Sequence, residues 1–273
     1  MIAARPHLRA LLEWPAWAVF GRNLRVYTSN WKTAVVPPAL EPLIYFLAFG
    51  LGLGRFVDAV PYDGGSVRYV DYVAPGLLAF TCFNSAFFEA LYGSYVRLHY
   101  QKTWDGILTT QVEVEHIVWG EALWAAARGV LNASIVAVVL GALGLAGFID
   151  IALPWLLVAP LFGFVAGWAF AVFALIFTAI VPAIDHLNYP VFLIGVPLGL
   201  ISNTYFPLPT DTAWMVWLQA MNPLYHLAEL VRGGMLGGPI APHAMGLGLS
   251  GLVLLVVSAC FAQPLVRRRV LKG

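Results

Sequence analysis

Charge is scarce in this sequence. Of its 273 residues, 11% are Asp, Glu, Lys or Arg, against about 25% in soluble domains. That shortage excludes an ordinary water-soluble globular protein. The near balance of 15 basic and 14 acidic residues, net +1, gives no case for a nucleic-acid partner. Cysteine is scarcer still: Cys82 and Cys260 both fall inside apolar runs, which argues against a disulfide framework or a four-ligand zinc site. The six histidines (7, 99, 116, 186, 226 and 243) are scattered without metal-ligand spacing, so no metal site is expected. Catalytic signatures are missing too. Lys32-Thr33 and Lys102-Thr103 are the only Lys-Thr pairs, and neither completes a G-x-x-x-x-G-K pattern, which excludes ATP hydrolysis through a P-loop. H-E-x-x-H and G-x-S-x-G are absent. The start, MIAARPHLRALLEW, lacks an uninterrupted apolar core and a small-residue cleavage site, so a cleaved signal is not expected. No internal repeat and no low-complexity tract is present, and strands are not expected.

What the sequence has instead is apolar surface. It is 60% hydrophobic with a mean hydropathy of +0.80, the composition of an all-α polytopic membrane protein. A spanning helix needs roughly 20 mostly apolar residues, and six segments meet or approach that: 34–54, 69–92, 118–146, 153–181, 187–205 and 243–264. Before them, residues 1–33 mix Arg5, Arg9, Arg22, Arg25 and Lys32 with Trp14, Trp17, Trp31 and several leucines, which suits an amphipathic helix lying in the membrane interface, divided or kinked at Pro15. After them, 266–273 is a basic tail. With the N-terminus inside, eleven Lys and Arg residues face the cytosol and only Arg55, Arg68 and Arg232 face outward. This bias puts both termini and the 97–117 segment in the cytosol.

Two intervals break the span pattern. Residues 97–121, RLHYQKTWDGILTTQVEVEHIVWGE, form the longest polar interval. Within it Trp104, Ile107 and Leu108 recur at i, i+3, i+4 and predict a short helix with one apolar face. That is either a docking element for a soluble partner or an ordinary solvated loop. Residues 206–242 are too apolar for a free loop yet are broken by prolines and by glycine pairs. Two short helices fit, 211–221 and 223–232. Asn222 would cap the second, with Pro223 at its first position and Glu229 and Arg232 paired at i, i+3. These outer helices are read as re-entrant, with Asn222, Pro223, Glu229 and Arg232 a candidate gate; interfacial helices with no gating role are the alternative.

Few charges fall within the spans, where each is costly. Glu41, Glu89, Glu121 and Arg128 are the candidates for a polar substrate path, with Glu121 or Glu89 pairing with Arg128. The competing reading is that the third span is longer than a bilayer needs, so that Arg128 snorkels to the inner interface. His226 and Glu229 share a helix face, but two groups do not make a site. Glycines at four-residue spacing (Gly50 and Gly54, Gly163 and Gly167, Gly195 and Gly199) let helices approach closely.

Taken together, YVDYVAPGLLAF (69–80), the run R…QKTWDGIL…TQ…GE within 87–126, and NPLYHLAELVRGGMLG (222–237) resemble the type-2 ABC exporter permeases, and most of all the nodulation protein J branch, the membrane subunit of lipo-oligosaccharide exporters. The resemblance covers nearly the whole chain. It implies a multi-pass protein of the bacterial cytoplasmic (inner) membrane, working as a homodimer with two separate ABC ATPase subunits that use ATP and Mg; this chain would bind no cofactor itself. It implies that Gln101, Lys102, Thr103, Trp104, Asp105, Ile107 and Leu108 are the coupling helix that inserts into the ATPase, with the short 182–186 loop as a second contact. An amphipathic cargo, in contact with membrane lipid, would enter near Glu41 and leave past the 211–232 helices. Related branches export polysaccharides, teichoic acids or drugs. A stand-alone channel, or a membrane enzyme with a polar catalytic cluster, would need no such partner.

Overall fold

Long apolar segments removed from water can satisfy their backbone polar groups internally only by coiling into helices. The computed structural model, which describes residues 7–32, 35–36, 40, 44–45, 47–48, 52–57, 59–208 and 211–272, is built accordingly. Two short helices come first, α1 (Arg9–Leu12) and α2 (Trp14–Ser29), separated at the extended residue Glu13. Pro15 sits in the first turn of α2, where a missing N–H costs nothing. Most of the expected first span, 34–54, lies outside the described residues, and so does Glu41.

Next come α3 (Tyr69–Tyr100), α4 (Thr103–Leu108), α5 (Val114–Leu145), α6 (Trp155–Ile180) and α7 (Ile184–Ile201). The chain ends with α8 (Ala213–Ala220), α9 (Pro223–Leu236) and α10 (Ala241–Lys272). Among the described residues, five of these helices (α3, α5, α6, α7 and α10) are long and apolar enough to cross a membrane.

Three expectations need correction. Strands are present: β1 (Ala59–Tyr62) and β2 (Gly65–Arg68) form an antiparallel hairpin with Val60 opposite Val67. Its turn residues, Asp63 and Gly64, have φ of 46° and 75°, the backbone that favours Asp-Gly in two-residue hairpins. Second, α3 continues eight residues past its expected end at 92, through two π-helical turns, Glu89–Gly93 and Val96–Tyr100, so Arg97 is a helix residue and not part of a polar loop. Third, the 182–186 loop is mostly helix: Ile184–Leu187 is the opening 3₁₀ turn of α7.

Small residues set the packing. A Cβ on Gly163 would collide with Cys82, one on Gly167 would press on Ala86, and one on Gly199 would press on Phe80. Gly129 of α5 meets the Cys82 carbonyl in the same way. All these partners lie on α3, which is therefore the central helix: 78% of its apolar stretch is buried, against at most 56% for the other four. Helix α2 lies across α5 through Ala16 and Val19, which close on Gly120. Its opposite side exposes Trp14 and Trp17. The His7 N–H donates to Gln263 of α10 at 2.8 Å, Trp119 donates to the His7 carbonyl at 3.0 Å, and Arg267 lies 3.4 Å from Glu115. Both chain ends and the start of α5 thus share one end of the bundle.

Candidate functional site

Tyr72 and Arg97 stand near opposite ends of α3, 25 residues apart, which is roughly 37 Å at helical rise. Each is part of a buried polar cluster, and the two clusters draw most of their residues from the three motifs singled out in the sequence, with Arg128, Asn203 and Gln219 added from outside them.

The first cluster sits where α3, α4 and α5 meet. Glu89 opens the first π turn of α3 and Arg97 lies in the second; such turns add a residue, rotate the rest of the helix, and concentrate at functional sites. Both side chains face α5. Arg97 forks between two carboxylates: Nη2 and Nε donate to Glu121 Oε2 at 2.5 and 2.9 Å, and Nη1 donates to Glu89 Oε1 at 2.8 Å. The second oxygen of Glu89 accepts from Arg128. Two indoles complete the set. Trp124 Nε1 donates to Glu89 at 2.8 Å and Trp104 Nε1 donates to Glu121 at 3.1 Å. Ser94 Oγ adds a bond to Glu121 at 3.1 Å. Every carboxylate oxygen is therefore satisfied, which burial of charge demands.

Of the expected pairings, Glu89 with Arg128 is present, whereas Glu121 pairs with Arg97 and not with Arg128. The apolar face of α4 also needs correction. Trp104 is fully buried and Ile107 and Leu108 pack on the core, so this face anchors α4 to the chain's own spans. A six-residue helix has no stability alone; tertiary burial of Trp104 holds it. The side left exposed carries Gln101, Lys102, Asp105, Gly106, Thr109 and Thr110, with Thr103 half-buried. Lys102, in a left-handed conformation at φ 52°, makes the turn from α3 into α4. Its ion pair with Asp105, at 3.7 Å between exposed side chains, adds little.

The second cluster joins α3, the segment after α7, and α9. Asn222 accepts from the Leu224 N–H at 3.0 Å and Pro223 is the first residue of α9, as the sequence predicts. The predicted Glu229–Arg232 pair is present at 2.5 Å, fully inside the protein. Arg232 Nη2 also donates to the Asn203 carbonyl at 2.7 Å and Nε to the Tyr72 carbonyl at 3.1 Å, while its guanidinium lies 3.8 Å from the centre of the Tyr72 ring. Asn203 gives its amide to Glu229 at 3.1 Å and accepts from Gln219 and from the Leu208 N–H. This approach depends on Gly76, whose Cβ, if it had one, would collide with the Thr204 carbonyl. Gly76 of the VAPG motif thus forms the seat for the Asn203–Arg232 cluster. His226 faces His243, 3.4 Å between Nδ1 atoms, and not Glu229.

Sequence reasoning missed Arg97, Ser94 and Trp124 at the first cluster and Asn203 and Tyr72 at the second. The one local signal was Asn203 itself, a polar residue of a type that tolerates left-handed backbone; its φ is 53°. No group of three or more His, Cys, Asp or Glu side chains among the described residues could hold a metal ion.

Comparison with known proteins adds a whole-chain likeness. Residues 16–236 match the family model described as ABC-2 type transporter. Nodulation protein J of Rhizobium leguminosarum bv. trifolii is 32% identical over 257 residues, covering 93% of this chain and 94% of the relative. Nodulation protein J of Rhizobium meliloti (strain 1021) is 30% identical over 259 residues, 94% and 95% of the two chains. The inner membrane transport permease YadH of Escherichia coli (strain K12) is 23% identical over 251 residues, 90% and 92%.

Proposed function

The chain belongs to the ABC-2 type transporter family, and on that premise we propose that its two polar clusters are the driven end and the gated end of an export cycle. It is the membrane subunit of an ABC exporter, a multi-pass protein. The energy source is a separate ABC ATPase, two copies on a homodimer of this chain, using ATP and Mg. The cargo is an amphipathic or glycolipid-like molecule such as a lipo-oligosaccharide; likeness to nodulation protein J over nearly the full length supports this choice.

One observation carries the coupling assignment. Helix α4 presents a polar outer side while Trp104 and Glu121 pin its inner side to α5. A push on the outer side cannot be absorbed by α4 alone and passes to α5, and through Arg97 to α3. The ATPase drives the cycle only if it binds one arrangement of these helices more tightly than the other. With α4 on the cytosolic side, both termini are cytosolic, and α8 and α9 stand on the outer side, where Asn222, Pro223, Glu229 and Arg232 form the gate. Glu89, Glu121 and Arg128 act as the joint between α3 and α5, Glu89 holding Arg128 and Arg97 bridging Glu89 to Glu121.

The test is reconstitution. Proteoliposomes holding this chain together with its ATPase should move a labelled lipo-oligosaccharide only when ATP is present. Movement by the chain alone would overturn the assignment.

A further inference from the structure

Between α2, the C-terminal part of α3 and α5 lies a cavity of about 360 Å³, lined by Arg22, Asn23, Tyr27, Arg97, Trp124, Arg128 and Glu89 among others. Its charge does not balance. Three guanidinium groups (Arg22, Arg97 and Arg128) line it with one carboxylate, Glu89, and both Glu89 and the fully buried Glu121 are already paired with Arg97 and Arg128. Arg22 pairs with no carboxylate among the described residues; its bonds go to Asn23 Oδ1 at 2.9 Å and Thr103 Oγ1 at 3.4 Å. Donors are in surplus as well. Asn23 is 3% exposed, and its Nδ2 has no acceptor. A buried amide donor without a partner is destabilising, so the site favours a guest that brings acceptors and negative charge. The exposed Val26 of α2 also lines the cavity, and the same helix exposes Trp14 and Trp17, residues suited to the depth at which lipid headgroups lie.

We propose that this cavity binds a phosphate group, presented by the headgroup of an anionic lipid, with Arg22 and Asn23 as its principal ligands and Arg128 as the third. Arginine is suited to this because its planar fork matches two phosphate oxygens at once. The site does not depend on the identity of the exported cargo.

The experiment measures equilibrium binding of radiolabelled phosphatidylglycerol to the purified full-length chain in non-ionic detergent, with inorganic phosphate and an uncharged galactolipid as competitors. Arg22→Gln and Asn23→Ala should each weaken binding roughly tenfold, the loss of one charge-assisted contact. Arg22→Lys should retain part of it. Arg25→Gln, which removes an exposed charge of the same helix outside the cavity, should leave binding unchanged. Competition by inorganic phosphate assigns the site to phosphate as such; competition by neither additive assigns it to the whole anionic headgroup. Equal losses in Arg22→Gln and Arg25→Gln, or displacement by the galactolipid at equal concentration, would overturn the proposal. A thermal-unfolding midpoint near that of the parent chain certifies each variant as folded; if Arg22→Gln fails that check, the Asn23→Ala result decides.

Discussion

The indole N–H of Trp104 reaches Glu121, seventeen positions later, across 3.1 Å, and so ties a six-residue helix to a 32-residue one. The bond sits where neither group meets water. It makes Trp104 an anchor inside the protein and leaves contact with any partner to the other side of α4.

Trp104 substitutions should therefore act first on stability. Trp104→Ala removes a fully buried ring and should cost about 3–5 kcal/mol. Trp104→Phe keeps most of the burial and removes one of the two donors to Glu121 Oε1, the other being Arg97 Nε at 3.1 Å; losing a hydrogen bond to a charged group costs about 1.5–3 kcal/mol. Thermal unfolding in detergent should rank the parent above Phe and Phe above Ala.

Arg97 is the shared partner of Glu89 and Glu121. Arg97→Met leaves the fully buried Glu121 without a counter-charge, a loss of about 3–5 kcal/mol. Adding Glu121→Leu removes the stranded charge, so the double variant should be less destabilised than the sum of the singles. Additive losses in a double-mutant cycle would show that the two side chains do not interact.

At the second cluster the backbone of Asn203 separates two effects. Asn203→Gly and Asn203→Val both lose the side-chain bonds to Glu229 and Gln219. Only valine must also adopt a φ of 53°, which costs a residue with a Cβ about 1–2 kcal/mol. The Val variant should melt below the Gly variant by that margin.

Gly76 and Gly21 form a matched pair. Alanine at position 76 collides with the Thr204 carbonyl and should destabilise by about 1–3 kcal/mol. Alanine at position 21 on α2 meets open space and should stabilise by about 0.5–1 kcal/mol. Thermal midpoints moving in opposite directions would confirm the close approach at Gly76.

Features whose partners are near in sequence were legible. Asn222, Pro223, Glu229 and Arg232 fall within one helix, where capping and i, i+3 rules apply, and all four took their expected roles within it. Glycine spacing on α6 and α7 correctly announced close helix contacts. Arg97 was not legible, because its partner Glu121 is 24 positions away and the two π turns that aim it leave no periodic trace. The apolar face of α4 was visible, but periodicity says that a face exists and not what it meets; here it meets the chain's own core. The hairpin had its signal in Asp63-Gly64, but its strands are four residues each and lie in a polar stretch with Arg55, Asp58, Gly65 and Arg68, which reads as a loop.

The central claim is that α4 meets an ATPase with its exposed side while Trp104 holds it from within. Site-specific photo-crosslinking in the assembled transporter tests this most directly, with a probe at Asp105 compared with one at Trp217, which is exposed on α8 on the proposed outer side. A crosslink to the ATPase is expected from position 105 and none from position 217. Active, ATP-driven transport with no crosslink from position 105 would contradict it.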